Sequence, residues 1–447
     1  VDATTVTLGR CGGTVALASG ASQTGFGRTG TVDWQTTPKT ATFSAVSGEG
    51  YFCNTTAGAF TVNLPAGSAG NIVSLADYAA TWQTNAVTVS PNGTDKIGSV
   101  NVDVTLSTEG QSVTFVFVDS TQGWINTMDS TSNVRGANFI CASVSGAGNS
   151  IATVGGCKVA TFTGPGTFTV NSVADCSANN EISYIVVAGG GGGGGRHGGA
   201  GGAGGFREDK SPVTPYTASP LDGAGPITVT AASFPITVGG GGTAGNRNPG
   251  SAGTNGANSV FSTITSTGGG RGYTYATGNP GTGGQPGGSG GGGGHTQCSG
   301  IPGGAGNTPP VSPSQGNNGG NGTGGPYDYS GGGGGGATAN GATAPSVGGG
   351  AGGAGATTSI NGTPTGRAGG GGGGNYNVAP GGAGAATDGG GAGGGGPPGS
   401  PTTATAGTAN TGGGGGGYGG TNPGNPSPTC TGGNGGSGVV IIRYKSS

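Results

Sequence analysis

A glycine-dominated run from Gly189 to Gly438 constrains this sequence more than any other feature. It begins directly after the apolar segment 184–188 and ends directly before a second apolar segment, 439–444. Both flanking segments are rich in β-branched residues, a composition that is typical of strands. We therefore predict that the two segments pair, so that the run is one very long insert held at both ends by a single β-module.

The composition leaves two alternatives for this insert. The 118 glycines and 26 prolines make up about a third of the 447 residues, far above ordinary globular usage. Collagen is excluded, because strict Gly-X-Y spacing is absent. The insert is either a disordered linker, since glycine loses the most entropy on ordering, or a lattice of stacked polyproline-II helices. Composition alone favours disorder, whereas the return of the insert to an apolar strand favours the lattice.

The charge content excludes several classes of protein. Charged residues are only 7% of the chain and the net charge is −2, so we expect no basic surface for nucleic acid. Helix-forming residues are scarce, which predicts almost no α-helix. No apolar run approaches 18 residues, so we expect no membrane insertion.

The residues before the insert predict an all-β fold. Between residues 31 and 128, strand-like segments of four to eight residues recur at about ten-residue spacing, separated by Gly, Pro and Asn. This pattern favours a sandwich-like or barrel-like β-module. Trp34, Trp82 and Trp124 give this module enough apolar surface for a conventional core.

The predicted fold class is therefore an N-terminal β-sandwich-like module, followed by a second β-module that carries the insert of stacked polyproline-II-type helices. The predicted divisions are a connector or attachment segment at 1–30, the first β-module at 31–128, a linker at 129–137, strands and entry hairpins at 138–267, the polyglycine lattice at 268–437, and a closing strand at 438–445.

A turn signal and two cysteines mark the start of the second module. Gly164-Pro165-Gly166 separates the strand-like segments 159–163 and 167–170, which predicts a hairpin. Cys141 and Cys157 flank a predicted hairpin, and a disulfide between them is an open alternative. The cysteine total is odd and no two cysteines form a CxxC pattern, so we do not expect a zinc ribbon.

Several phrases of the sequence resemble a known family. Residues 182–191, followed far downstream by 435–444, closely resemble the opening and closing of the glycine-rich domain found in tailed-bacteriophage tail fibres and adhesins. Residues 161–170 fit the entry hairpin of that domain. Residues 234–241 and 259–261 resemble the short strand-forming segments that recur in it. Further similarity, to tail proteins of marine phages including those of cyanobacteria, lies in residues 50–52, 61–66, 77–78, 91–93 and 123–124.

The resemblance covers about residues 28–447 and implies a function. It implies an extracellular virion protein at or near a fibre tip, in which glycine helices present variable loops to a host-cell receptor, either a glycan or an outer-membrane protein. Other tail or fibre proteins are the implied partners. Phage fibres are commonly homotrimers, which favours a homotrimer here, although glycine-helix adhesin tips can be monomeric.

Tyrosines are the sharpest candidates for receptor contact. They interrupt a region that is otherwise free of large side chains, and each offers a flat contact area and one polar group at a low entropic cost. The alternative is that these rings only cap the ends of the lattice and shield it from water. The candidate receptor-binding residues are Tyr273, Tyr275, Tyr327, Asp328, Tyr329, Tyr376, Tyr418 and, as a stacking or anion-binding group, Arg271.

The two histidines and the glycine motifs indicate no cofactor. His197 and His295 interrupt glycine runs without metal-ligating residues nearby, so we expect solvated loops rather than a metal site. Gly-x-Gly-x-x-Gly patterns occur many times, but none is followed by a helical pattern and an acidic residue about 20 positions on, so we expect no nucleotide binding.

Carboxylates are too sparse in the insert to predict an enzyme. Glycan cleavage needs two carboxylates on rigid strands, and Asp222, Asp328 and Asp388 are the only acidic residues between 211 and 437. We therefore expect a non-catalytic adhesin. The first alternative is a structural extracellular filament or virion decoration protein that recognises no receptor, and the second is a glycan depolymerase.

Overall fold

The computed structural model describes residues 32–130, 139–246, 250–275, 283–296, 300–324, 329–376, 382–396, 402–420 and 431–446. The predicted connector at 1–30 lies outside these residues. The chain divides into two compact units, residues 1–136 and 137–447. The described residues are almost entirely strand and extended segments, with one 3₁₀ helix at Ser177–Asn180, and none of their helices is long and apolar enough to cross a membrane. The prediction of an all-β chain is confirmed.

The first unit consists of two sheets, and its first six strands alternate between them. The strands are β1 (Asp33–Lys39), β2 (Phe43–Ser44), β3 (Glu49–Cys53), β4 (Phe60–Asn63), β5 (Ile72–Asp77), β6 (Val87–Ser90), β7 (Val104–Leu106), β8 (Ser112–Asp119) and β9 (Gly123–Ser130). One sheet has the order β1-β3-β5-β8-β9 and the other β2-β4-β6-β7. The first six strands pair in parallel within each sheet: β3 lies between β1 and β5, and β4 lies between β2 and β6.

The core of the first unit contains two of its three tryptophans. Trp82 and Trp124 are fully buried, whereas Trp34 is 39% exposed and stacks on Phe52 with ring centroids 4.9 Å apart. Strand β9 continues through Ser130, so the first two residues of the predicted linker belong to the strand. The rest of that linker lies outside the described residues.

The second unit contains two larger sheets and several short strands. These strands are β10 (Cys141–Ser145), β11 (Ser150–Val154), β12 (Cys157–Phe162), β13 (Gly166–Ser172), β14 (Glu181–Val187), β15 (Phe206–Asp209), β16 (Ile227–Thr228), β17 (Ser233–Thr237), β18 (Ser259–Phe261), β19 (Ile264–Ser266), β20 (Ala356–Thr358), β21 (Thr365–Arg367), β22 (Asn375–Tyr376), β23 (Gly395–Gly396) and β24 (Val439–Lys445). One sheet has the order β11-β12-β24-β14-β15, with β16 also paired to β14, and the other has the order β10-β13-β17-β18-β19.

The predicted pairing of the two segments that flank the insert is confirmed. Strands β14 and β24 pair antiparallel, with Ser183 opposite Arg443 and Val187 opposite Val439. Alternate residues of both strands pack towards the second sheet, and the residues between them pack towards the β20–β21 hairpin and the base of the insert. Because both faces are buried, the two strands are continuous apolar runs rather than alternating ones.

The predicted entry hairpin is wrong. Strand β12 pairs with β11 and β24, whereas β13 pairs with β10 and β17 in the other sheet. The turn at Gly164–Gly166 therefore carries the chain from one sheet to the other, and the apolar residues of β12 and β13 meet in one core instead of pairing edge to edge. Cys141 and Cys157, the open disulfide alternative, are free thiols on strands of different sheets.

The described part of the insert forms an ordered lattice, and this lattice begins at Ala188 rather than at residue 268. One central segment, residues 188–195, makes backbone hydrogen bonds to six others, and every third residue meets the same neighbour. Its amides donate to residues 251–257, 433–436 and 199–205, and its carbonyls accept from residues 269–272, 242–245 and 415–418. A repeat of three residues is that of a polyproline-II helix, in which the backbone groups point outward to neighbours.

Asparagine side chains complete hydrogen bonds at the border of the lattice. The Oδ1 atoms of Asn255 and Asn258 accept from the backbone N–H groups of Arg271 and Gly268, each at 2.9 Å. The spacing of three places the two side chains on the same face of one helix. They satisfy N–H groups that have no further helix beside them.

Removing one of these side chains is expected to weaken the lattice modestly. We expect Asn255→Ala to lower the free energy of unfolding by about 1 kcal/mol, because the freed N–H group of Arg271 exchanges a protein partner for water. Asn255→Asp, which keeps an acceptor oxygen, is the control. The measurement is urea unfolding followed by near-ultraviolet circular dichroism of the tyrosines, nine of which lie in residues 137–447. Equal stability of the alanine variant and the wild type would contradict the assigned role.

Candidate functional site

One end of the lattice is remote from the sheet that anchors it. Residues 188–195 leave strand β14 directly, and residues 198–205 return directly into β15. The turn between them, at Arg196 and His197, therefore lies about 25 Å from the sheet at about 3.1 Å per residue. We call this the far end of the lattice.

Five aromatic rings meet at the far end, and we call them the ring cluster: His197, Tyr275, His295, Tyr329 and Tyr376. The rings of His197 and Tyr329 stack with centroids 4.8 Å apart, and the ring of His295 meets Tyr329 edge-on at 4.7 Å. The ring centroids of Tyr275 and Tyr376 lie 5.7 and 5.5 Å, respectively, from the ring centroid of His197. Such edge-on and stacked arrangements are the favoured geometries of aromatic pairs.

Backbone hydrogen bonds hold the segments that carry these rings. The N–H groups of Tyr275 and His295 donate to the carbonyls of Arg196 and His197, at 3.0 and 3.3 Å. The N–H group of Tyr376 donates to the carbonyl of Tyr329 at 3.2 Å. The ring cluster is thus built from lattice segments that are far apart in sequence and end at the same level.

The turn at the far end uses non-glycine residues where glycine would be easiest. Arg196 and His197 have φ angles of +33° and +53°, a left-handed conformation that costs a side chain about 1 kcal/mol per residue. Glycine adopts it freely, and glycine surrounds both positions. Strain of this kind indicates that the two side chains serve a purpose other than stability.

Both histidines are buried, so the expectation of solvated loops is wrong. His197 is 2% exposed and His295 is 0% exposed, because tyrosines from other segments exclude water from them. Burial lowers the pKa of His197 to about 3, with smaller contributions from His295 and Arg196, so the ring is neutral at neutral pH. Its Nδ1 atom has no hydrogen-bond partner among the described residues. The Nδ1 of His295 lies 3.1 Å from the carbonyl of Thr323 and can donate to it.

The described residues contain no group of three or more His, Cys, Asp or Glu side chains arranged to hold a metal ion. Among the described residues, the far end offers instead a set of aromatic rings beside one exposed cation, Arg196. Its guanidinium carbon lies 4.8 Å from the centroid of the Tyr275 ring. This is a cation–π contact.

A family model described as a glycine-rich domain matches residues 161–445, well over half of the chain. The chain belongs to the glycine-rich domain family. No curated protein matches it. The family description accounts for the composition of the lattice and specifies neither a partner nor an activity.

Three of the predicted contact residues in the glycine-rich domain lie together. Tyr275, Tyr329 and Tyr376 belong to the ring cluster, and each is half-buried. Tyr327 and Asp328 lie outside the described residues.

The other predicted contact residues lie apart from the ring cluster. Tyr418 is 1% exposed and is therefore buried within the domain. Tyr273 is half-buried and makes no ring contact within the described residues. The Nη1 atom of half-buried Arg271 lies 3.5 Å from the carbonyl of Gly253.

Sequence reasoning missed Arg196 and both histidines as members of the site. A signal was present, since Arg196-His197 and His295 each terminate an unbroken glycine run. A polar or aromatic residue at such a point marks the end of a lattice helix, and the ends of neighbouring helices meet.

Proposed function

We propose that this chain is a bacteriophage tail-fibre adhesin that attaches the virion to the host-cell surface through the far end of its glycine-rich domain. The single observation that carries the proposal is the ring cluster beside the strained Arg196-His197 turn. The resemblance of the opening and closing phrases of the domain to phage adhesins supports it. The proposed partner is a host receptor, either a glycan or an outer-membrane protein.

The physical argument for binding at this end starts from rigidity. Each lattice segment is held by backbone hydrogen bonds to its neighbours, so the rings at its end lose little freedom when they meet a partner. Preorganised aromatic side chains are effective contact residues, since little of their binding energy is used for ordering. Several copies on one virion would add avidity to a modest affinity per site.

In this proposal the domain binds its receptor without cleaving it. Cleavage of a glycosidic bond needs a pair of carboxylates close together. Within the described lattice, Asp388 is the acidic residue, and it accepts a hydrogen bond from the N–H group of Gly355 beside the β20–β21 hairpin. It is therefore engaged near strand β20 rather than at the ring cluster.

Binding of the labelled full-length chain to a panel of marine bacteria, including cyanobacteria, tests the proposed function. We expect saturable binding to at least one strain, and about tenfold or greater loss of affinity in Tyr329→Ala, because truncating a central aromatic contact typically has an effect of this size. Tyr78→Ala, the same change at a 53% exposed tyrosine of the first unit, is the matched control and should bind like the wild type.

Two outcomes would count against this proposal. Equal binding by the Tyr329→Ala variant and the wild type would place the receptor contact away from the ring cluster. An absence of binding to every strain would favour the structural filament or decoration protein instead.

A further inference from the structure

The guanidinium of Arg196 has N–H donors that no described residue accepts. Its side chain is exposed, and it makes no hydrogen bond or ion pair within the described residues, where its contact is with the face of Tyr275. Contact with a ring fixes the position of a guanidinium without using any of its five N–H donors. The donors are therefore available to an external acceptor, and the side chain is already oriented.

The surroundings of Arg196 favour an anion. Burial keeps His197 neutral at neutral pH, and the described lattice places Asp388 beside Gly355 instead of at this end. The positive charge of Arg196 is therefore not neutralised by a described carboxylate. A guanidinium binds a carboxylate with two parallel hydrogen bonds, a geometry that gives both affinity and orientation.

Two rings of the cluster add a second requirement on the ligand: Tyr275, which contacts Arg196, and Tyr376, which meets the adjacent His197. The hydroxyl groups of Tyr275 and Tyr376 make no hydrogen bond within the described residues, and both rings are half-exposed. Aromatic rings of this kind offer an apolar face and a polar group to a ligand that has both. A sugar ring has an apolar C–H face and hydroxyl groups at its edge.

We propose that Arg196 and the ring cluster bind an acidic sugar, in which Arg196 pairs with the carboxylate and Tyr275 and Tyr376 contact the sugar ring. Uronic acids and sialic acids belong to this class. The inference rests on the proposed function, because it specifies the receptor as a carboxylate-bearing glycan of the host surface.

The test compares ligands that differ only in the carboxylate. The full-length chain is first applied to an array of acidic, neutral and phosphorylated glycans, and the best acidic ligand is then titrated calorimetrically beside its carboxyl-reduced form. We expect array signals only from carboxylate-bearing glycans. The reduced form should bind about ten- to a hundredfold more weakly, as expected for the loss of a charged hydrogen-bond pair.

Arg196→Gly is the decisive variant, because glycine is the residue best suited to the φ angle of +33°. We expect a melting temperature at or above that of the wild type, together with a ten- to hundredfold loss of affinity for the acidic glycan. Arg196→Lys should recover only part of the affinity, since an ammonium group cannot form the bidentate pair. Lys96→Ala, which removes one positive charge from the first unit, should bind like the wild type.

Several results would overturn the acidic-sugar assignment. They are equal binding of the reduced glycan, a preference for sugar phosphates or neutral glycans, unchanged affinity in Arg196→Gly, or no signal from any acidic glycan. If host cells are still bound and Tyr329→Ala still lowers that affinity about tenfold or more, the proposed adhesin function stands and only the ligand class is wrong.

Discussion

Replacing Gly193 by alanine is expected to lower the free energy of unfolding of the second unit by about 3–5 kcal/mol. Gly193 lies in the central helix of the lattice, where its N–H group donates to the carbonyl of Gly433 and its carbonyl accepts from Gly245. A Cβ atom added there would lie 2.0 Å from the carbonyl oxygen of Gly416 and 2.5 Å from its carbon. The obstructing atoms are backbone, so no side chain can rotate away and the neighbouring helix must move.

Gly240→Ala is the matched control within the same lattice. Gly240 is exposed, a Cβ atom added to it would have nothing within 4 Å, and its φ is not in the left-handed region. We expect this variant to be unchanged or about 0.5–1 kcal/mol more stable, because alanine restricts the unfolded chain. Both variants are compared by urea unfolding with tyrosine circular dichroism. A difference below about 1 kcal/mol between them would show that the lattice can open to admit a methyl group.

The stability of the second unit is expected to fall as the pH falls from about 6.5 towards 3, and His197 is responsible for part of this loss. Burial lowers the pKa of His197 to about 3 in the folded state, and an unfolded histidine has a pKa near its ordinary 6.5. Between these values the unfolded chain binds the extra proton, so each pH unit removes about 1.4 kcal/mol of stability. The contribution is fully present above pH 6.5.

His197→Phe isolates the titration of this ring from all others. Phenylalanine keeps a flat ring among His295, Tyr275, Tyr329 and Tyr376 but cannot be protonated. We expect the stability difference between wild type and variant to shift steadily in favour of the variant as the pH is lowered from 6.5 to 4. The measurement is urea unfolding at several pH values. A difference that does not change with pH would show that His197 keeps an ordinary pKa.

The local pattern of apolar and polar residues predicted the positions of many strands but few of the pairings between strands. The runs near 72–77, 87–90 and 112–119 are recognisable from β-branched and alternating residues, and all are strands. None of these runs shows that β1 to β6 alternate between two sheets and pair in parallel, because the pattern of one strand shows which face is buried and not what covers it. The wrong hairpin at Gly164–Gly166 has the same cause.

The residues of the far end could likewise be predicted only in part from the sequence. Sequence reasoning identified Tyr275, Tyr329 and Tyr376 as candidates, since large side chains stand out among glycines. It placed His197 in solvent, because polar residues in glycine runs are usually exposed. The ring cluster depends on where each lattice segment ends relative to the others, and this register is set by backbone hydrogen bonds between segments remote in sequence.

The sequence by itself determined that the flanking segments 184–188 and 439–444 pair, and that an ordered insert between them must pack backbone against backbone. The first follows from two continuous apolar runs and the second from the lack of side chains, which leaves only backbone groups to hold the segments together. The tertiary structure decided which side chains meet at the far end and which histidines lose water. Contacts of that kind arise only when the ends of separate helices are brought to one level.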